Sequence, residues 1–89
     1  MIEKKITITN KLGLHARAAA KLVTLASSFK SNIELKTSCK TANGKSIMSV
    51  MMLAAAQGTE LTFVIDGPDE REACSALEVL ITHRFDENE

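Results

Sequence analysis

The chain has 89 residues, no formal net charge at pH 7, 45% hydrophobic residues and 25% charged residues. A chain of this length fits one domain, residues 1–89, and its composition is that of a globular protein rather than a disordered or fibrous one. Three phenylalanines are the only aromatic residues, which argues against the base-stacking surfaces of nucleic-acid-binding modules, so we expect no nucleic-acid partner.

The charges are unevenly distributed along the chain. Residues 1–45 contain nine Lys or Arg and two acids, a formal charge of +7, whereas residues 46–89 contain two Arg and nine acids, a formal charge of −7. If folding interleaves the two sets, they serve mainly solubility. If folding separates them, a basic face can attract an acidic partner or a phosphate group.

Several features indicate a cytoplasmic protein. No apolar run approaches the 18 residues or so of a membrane span, and the opening MIEKKITITN alternates and is charged, unlike a signal segment. Cys39 and Cys74 fit no metal-ligand spacing, and in a reducing compartment we expect both to be simple thiols. We therefore expect no membrane association, no metal and no cofactor.

The first half of the chain predicts a strand, a helix and a hairpin. Apolar residues alternate with polar ones over residues 2–9, as in a half-buried strand. From Ala16 to about Phe29 the apolar residues recur at helical spacing, at Ala19, Leu22, Val23 and Ala26. Residues 33–37 alternate again, and the stretch KTAN, residues 40–43, can return as a second short strand after a turn.

The next segment predicts a short helix followed by the strongest strand of the chain. Ser46 is a suitable N-cap for a helix from Ile47 to about Ala54, with Gly58 in the neighbourhood of its C-cap. The stretch TELTFVID, residues 59–66, alternates strictly, and its apolar side chains, Leu61, Phe63 and Ile65, share one face.

The last helix is predicted to begin in the stretch DGPDERE. Pro68 suits its first turn, and the acids at positions 69, 70 and 72 favour the positive end of the helix dipole. The apolar stripe of this helix consists of Ala73, Ala76, Leu77, Leu80 and Ile81. The polar tail, residues 86–89, is expected to fray.

These elements define an α+β fold with the order β-α-β-β-α-β-α. Each of the three helices has only one apolar side, so each must bury that side against the same sheet. We predict a two-layer, open-faced sandwich in which three helices cover one face of the sheet and the other face is open to water.

His15 stands at the N-terminal edge of the first predicted helix. The first backbone N–H groups of a helix have no partner within it, and they form a donor-rich positive end that suits an anion. Arg17 can bring a planar fork of donors to phosphate oxygens, and a neutral imidazole can act as a nucleophile. A histidine at this position is more often only a cap or an exposed residue. With no Walker loop and no metal cluster, the chain is suited to accept a phosphoryl group but not to cleave a nucleotide.

Two stretches of the chain resemble the HPr family, the histidine phosphocarriers of the bacterial phosphotransferase system. NKLGLHARAAAKLV, residues 10–23, resembles the family pattern Gly-Leu/Met-His-Ala-Arg-Pro-Ala, with matches at Gly13, Leu14, His15, Ala16, Arg17 and Ala19. KSIMSVMMLAAAQGTELTF, residues 45–63, resembles the second signature of the family. The resemblance also extends to the length of the chain and to its order of elements.

The resemblance implies four antiparallel strands in the order 1-4-2-3, and it implies a function. Nδ1 of His15 would accept a phosphoryl group from phosphorylated enzyme I, which draws it from phosphoenolpyruvate, and would pass it to an enzyme IIA-type domain. Arg17 would assist, and Arg17 and the backbone amides that start at Ala16 would hold the phosphate. Such a protein is a stoichiometric carrier rather than an enzyme, and we expect a monomer.

One position departs from the family pattern, because Ala18 stands where the family usually has proline. Proline in the first turn of a helix costs no hydrogen bond and sets φ in advance. Alanine is also a good helix former. We therefore expect the helix start to persist. Ala18 bears more on the rate of phosphoryl transfer than on the assignment to the family.

The second motif offers a regulatory site and a docking surface. Ser46 is expected to act at least as an N-cap, and the resemblance implies phosphorylation of this serine by a regulatory HPr serine kinase in some members. Ile47, Met48 and Met51 could be core residues. However, Val50 and Leu53 already supply an inward pair, so we expect the first three to form an exposed docking patch. Lys21, Lys45 and Arg17 would lie at its edge.

Two other functions stay open. One is a regulatory module on the same fold, which would bind a transcriptional regulator or a kinase without phosphoryl transfer. The other is a small ferredoxin-like ligand-binding domain, although the third helix and both motifs argue against it. The sequence also leaves two branches of the family open, since ITNKLGLHAR resembles nitrogen-regulatory members and KSIMSVMML resembles sugar-transport carriers.

Overall fold

The computed structural model describes residues 1–86. Its elements are β1 (Ile2–Thr7), α1 (Ala16–Ser27), β2 (Asn32–Lys36), β3 (Thr41–Asn43), α2 (Ile47–Met52), β4 (Glu60–Asp66), α3 (Glu70–Thr82) and a final 3-10 turn (Arg84–Asp86). The four strands form one antiparallel sheet in the order β1-β4-β2-β3. The predicted α+β class, element order and strand order are confirmed.

The core lies between the sheet and the helices because the strands alternate as predicted. Leu61, Phe63 and Ile65 of the central strand β4 are fully buried. They stand opposite apolar residues of both neighbours, since Leu61 pairs with Ile6 of β1 and Phe63 pairs with Leu35 of β2. Each helix adds fully buried aliphatic side chains to this one cluster, among them Leu22, Val50 and Leu77.

Two helices end earlier than the sequence predicts. α1 ends at Ser27, two residues before Phe29, and α2 ends at Met52. After α2 the chain turns at Ala54, which adopts a left-handed φ of 52°, so Gly58 is not the C-cap of this helix. The N–H of Gly58 donates to Ile8 O at 2.8 Å, because this glycine belongs to the turn that leads into β4.

The start of α3 also differs from the prediction. Pro68 precedes the N-cap, which is Asp69, and therefore lies outside the first turn. The Asp69 carboxylate does not cap its own helix. It accepts hydrogen bonds from the Ser31 hydroxyl at 2.5 Å, the Lys30 N–H at 2.9 Å and the Ser31 N–H at 3.0 Å. These hydrogen bonds, that from the Ser31 hydroxyl first, hold the pKa of Asp69 below its usual value.

The end of the described chain packs against α1. Phe85 is fully buried, although no periodic pattern marks it as a core residue. Arg84 and Phe85 have φ values of 56° and 55°, and Lys21 Nζ donates a hydrogen bond to Phe85 O at 2.6 Å. The predicted fraying concerns residues 86–89, of which 87–89 lie outside the described residues. Over residues 1–86, no helix combines the length and hydropathy that a membrane span requires.

Candidate functional site

His15 is the N-cap residue of α1, so the predicted start of this helix is confirmed. Its backbone is extended, with φ −74° and ψ 178°, and its side chain makes no capping hydrogen bond. Ala19 N–H donates the first intrahelical bond to His15 O, at 2.8 Å. The amides of Ala16, Arg17 and Ala18 lie ahead of that bond, so the helix gives them no partner. The imidazole is partly exposed and stands at this donor-rich end.

A tight turn over residues 10–13 brings the chain to His15. Gly13 N–H donates to Asn10 O at 3.1 Å, and Asn10 Nδ2 donates back to Gly13 O at 2.8 Å. Gly13 has a φ of 66°, and a Cβ at this position would lie 2.5 Å from Ala55 O. The turn therefore requires glycine here, both for its backbone conformation and for the space available.

The segment after α2 holds the segment before α1. Leu14 N–H donates to Ala55 O at 2.8 Å, and Gln57 Nε2 donates to Thr9 O at 3.1 Å. These contacts bring together two motifs that are far apart in sequence, since one contains His15 and the other supplies the Ala55 carbonyl that holds the segment before His15. Sequence reasoning missed Asn10 and Ala55, because neither residue type signals a function on its own.

The exposed face of α2 is apolar. Met48 is 71% exposed, Met52 70%, Met51 43% and Ile47 40%, and these four residues are called the α2 surface below. Val50 and Leu53 point inward as predicted, being fully and almost fully buried. The surface positions of Ile47, Met48 and Met51 agree with the prediction. Met52 was missed, although it lies four residues after Met48 and therefore shares its face of the helix.

The basic side chains around the site have different surroundings. Arg17 is exposed in the first turn of α1. Lys45 lies just before α2, and its Nζ donates to Phe29 O at 2.8 Å, while the ammonium group of Lys21 is held by Phe85 O. The structure adds Lys40, whose Nζ donates to Met52 O at 3.2 Å at the C-terminal end of α2.

Ser46 is the N-cap of α2. Its Oγ accepts a hydrogen bond from Ser49 N–H at 3.4 Å, and Val50 N–H donates to Ser46 O at 3.0 Å. The side chain is partly exposed and immediately precedes the α2 surface. The capping interaction that the sequence predicts is therefore present.

The two cysteines are both free thiols, as expected. Cys39 is exposed in the β2–β3 turn, whereas burial, together with the nearby Glu78 carboxylate, raises the pKa of the Cys74 thiol. Among residues 1–86, the structure contains no group of three or more His, Cys, Asp or Glu side chains arranged to hold a metal ion.

Comparisons with known proteins assign the chain to a family. Residues 2–83 match the family model of the PTS HPr component phosphorylation site. The chain belongs to the HPr family. It is 54% identical over 88 residues to the phosphocarrier protein HPr of Xylella fastidiosa, and the alignment covers 99% of both chains.

Solved structures agree with this assignment. The crystal structure of an HPr from Thermoanaerobacter tengcongensis matches the whole of both chains with a TM-score of 0.96 at 45% identity. Crh of Bacillus subtilis, a catabolite repression protein crystallised as a domain-swapped dimer, matches 94% of this chain and 97% of its own with a TM-score of 0.75 at 39% identity. Membership of the HPr family supports the role of a phosphocarrier in the phosphotransferase system.

Proposed function

We propose that His15 carries the phosphoryl group, which it accepts on Nδ1 from phosphorylated enzyme I and passes to an enzyme IIA-type domain. The observation that carries this proposal is the position of His15, partly exposed at the N-cap of α1 beside three amides that have no partner within the helix. Family membership supports the same role. We take Nδ1 as the acceptor atom from the resemblance to the family.

The transfer needs positioning and charge stabilisation more than covalent chemistry. The lone pair of neutral Nδ1 attacks the phosphorus in line, a P–N bond forms, and the bond to the donor breaks with its electron pair leaving on the donor. The positive end of α1 and the Arg17 guanidinium stabilise the negative charge on the phosphoryl oxygens. In the onward transfer, a nucleophile of the enzyme IIA-type domain attacks the phosphorus in line, the P–N bond breaks, and its electron pair returns to Nδ1 of His15. The labile phosphoramidate bond makes this second step possible.

The α2 surface is the proposed docking site for both partners. It offers exposed methionines, which repack easily against different surfaces, and in this proposal the exposed Arg17 lies at its edge. Lys21 and Lys45 belong to the edge of the same surface in this proposal. The matching partner would have an apolar centre and an acidic rim.

Ser46 is the proposed regulatory position. A phosphate on its Oγ could accept the hydrogen bond from Ser49 N–H in place of the hydroxyl, and the positive end of α2 would stabilise its charge. The same charge would repel an acidic partner at the neighbouring α2 surface. An HPr serine kinase would add this phosphate, and a transcriptional regulator would be a further partner of the modified form.

We further propose that the whole chain acts as one cytoplasmic domain and works as a monomer. One buried cluster joins all three helices to the sheet, which supports a single folding unit. The swapped dimer of Crh is the contrasting case in the same fold. Sedimentation equilibrium at micromolar concentration tests the monomer directly.

The carrier function is tested by incubation with phosphoenolpyruvate and enzyme I. We expect the intact chain to gain one phosphate by mass spectrometry, with a label that is labile in acid and stable in base. His15→Ala should gain none, whereas His83→Ala, which changes the chain's other histidine, exposed at the C-cap of α3, should label fully. A chain that binds enzyme I but takes up no phosphate would instead be a regulatory module, and the carrier proposal would be rejected.

A further inference from the structure

We propose that Asn10 is a positioning residue for phosphoryl transfer, whose buried side-chain amide fixes the peptide that orients His15. This inference rests on the proposed role of His15 as the acceptor. Asn10 touches neither the phosphoryl group nor the partner in this account, and it acts only through the turn that precedes His15.

The peptide unit between Gly13 and Leu14 is held by hydrogen bonds at both of its polar ends. Its carbonyl, Gly13 O, accepts the Asn10 Nδ2 hydrogen bond at 2.8 Å. Its amide, Leu14 N–H, donates to Ala55 O at 2.8 Å. The two polar ends of one peptide plane are therefore held by two different segments of the chain, so the plane cannot rotate without breaking one of the bonds.

Little freedom remains between that peptide and the helix. Leu14 is the single residue between the fixed peptide and His15, and its side chain is buried in the core. On the other side, His15 O accepts the first intrahelical bond from Ala19 N–H. The backbone of His15 is consequently held from both directions, by the Asn10 turn before it and by α1 after it.

Few side chains can replace Asn10, because this residue is fully buried. A buried carbonyl that loses its donor is costly, so Gly13 O requires an N–H at this distance. Leucine resembles asparagine in size but has no donor. Aspartate keeps the shape, but its ionised carboxylate only accepts hydrogen bonds and would repel Gly13 O, and burial makes this charged form costly.

A change at Asn10 should therefore alter transfer rather than docking. A misplacement of a reacting group by about 1 Å can cost on the order of 100-fold in rate. We expect Asn10→Leu and Asn10→Asp to lower the turnover number for phosphoryl uptake from phosphorylated enzyme I by roughly 10- to 100-fold. The KM for enzyme I should stay close to its original value, since the α2 surface is unchanged.

Ser31→Ala is the matched control. Ser31 is also a buried polar residue, and its hydroxyl donates a hydrogen bond to Asp69 at the other end of α1. The substitution removes this bond. Both kinds of variant should unfold at a lower temperature, so rates are compared where circular dichroism shows each chain to be folded. Asn10 variants that transfer as fast as Ser31→Ala would reduce Asn10 to a structural residue and overturn the proposal.

A second measurement does not depend on phosphorylation. Hydrogen exchange of the Leu14 amide, followed by NMR, should become faster in the Asn10 variants and stay unchanged in Ser31→Ala. Unchanged exchange in Asn10→Leu would overturn the proposed hold on the peptide. Failure of the unsubstituted chain to take up phosphate would refute the carrier function and the transfer part of this proposal together, while the exchange result would still decide whether Asn10 fixes the turn.

Discussion

The N-termini of α1 and α3 carry opposite charges in their first turns. Both helices are similar in length, with 12 and 13 residues, and each presents partly positive amide groups at its start. α3 has Glu70 and Glu72 in its first turn, with the N-terminal ammonium group bonded to Glu70. The first turn of α1 reads Ala16-Arg17-Ala18-Ala19 and contains no acid.

We interpret this difference as that between a helix start that serves stability, at α3, and one that serves the proposed phosphoryl transfer, at α1. At α3, two acids of the chain lie in the first turn, where their negative charge offsets part of the positive end of the helix. At α1, the first turn instead carries the cation Arg17, so the local field would favour an external anion. An acid in the first turn would stabilise α1, but it would also repel a phosphoryl group. Because the first turn contains no acid, this end of the helix can attract such a group.

The largest effect is expected from making α1 resemble α3. Ala16 is exposed, so Ala16→Glu should add about 0.3–1 kcal/mol to the free energy of unfolding, as acids do in the first turn of a helix. The same charge should slow phosphoryl uptake by roughly 100-fold, because a repulsion on the order of 3 kcal/mol near the surface opposes the incoming anion. Thermal unfolding and the rate of labelling by phosphorylated enzyme I measure the two effects on one sample.

Ala16→Gln is the control for this substitution, since it adds a side chain of similar size without charge. It should label at nearly the original rate. If Ala16→Glu also labelled at the original rate, the contrast between the two helix starts would have no bearing on function.

The next effect concerns the Asp69 carboxylate at the start of α3, and it depends on pH. Because the pKa of Asp69 is lower in the folded chain than its unfolded value of about 3.9, its ionised form stabilises the fold above that value. This contribution is lost as the pH falls through the lower, folded pKa. We expect the stability difference between the original chain and Asp69→Asn to be largest near neutral pH and to shrink progressively below about pH 4.

Urea unfolding at several pH values measures this difference. A constant gap between the two chains from neutral pH to well below pH 4 would contradict the assigned role of the carboxylate. Phosphoryl uptake at neutral pH should be unaffected, because Asp69 binds the loop at Lys30 and Ser31, at the opposite end of α1 from His15.

Much of the fold was predictable because periodicity is a local signal. Alternation at Leu61, Phe63 and Ile65 located β4, and the surplus of inward residues in α2 indicated that Met48 and Met51 face outward. The start of α1 could be predicted from the change of period after His15. In each case the relevant neighbours lie within a few residues of one another in the sequence.

Features that depend on contacts between distant segments could not be predicted from the sequence. The bond from Leu14 N–H to Ala55 O joins residues about 40 positions apart, and no spacing rule connects them. Asn10 in the stretch NKLG resembles an ordinary turn residue, although it is fully buried. Ala54 adopts a positive φ without being glycine, so the end of α2 was placed too late.

The smallest expected effect concerns the start of α2, where Ser46 offers a neutral hydroxyl in place of the acids of α3. Ser46→Ala removes the acceptor for Ser49 N–H and should cost about 1 kcal/mol of unfolding free energy. Ser46→Asp keeps a side-chain acceptor and adds charge at the positive end of α2, so it should recover that stability. If Ser46 also regulates docking, Ser46→Asp should raise the KM for enzyme I while Ser46→Ala leaves it unchanged. Equal KM values with the predicted stabilities would limit Ser46 to a capping role, and the contrast among the helix starts would then be functional at α1 alone.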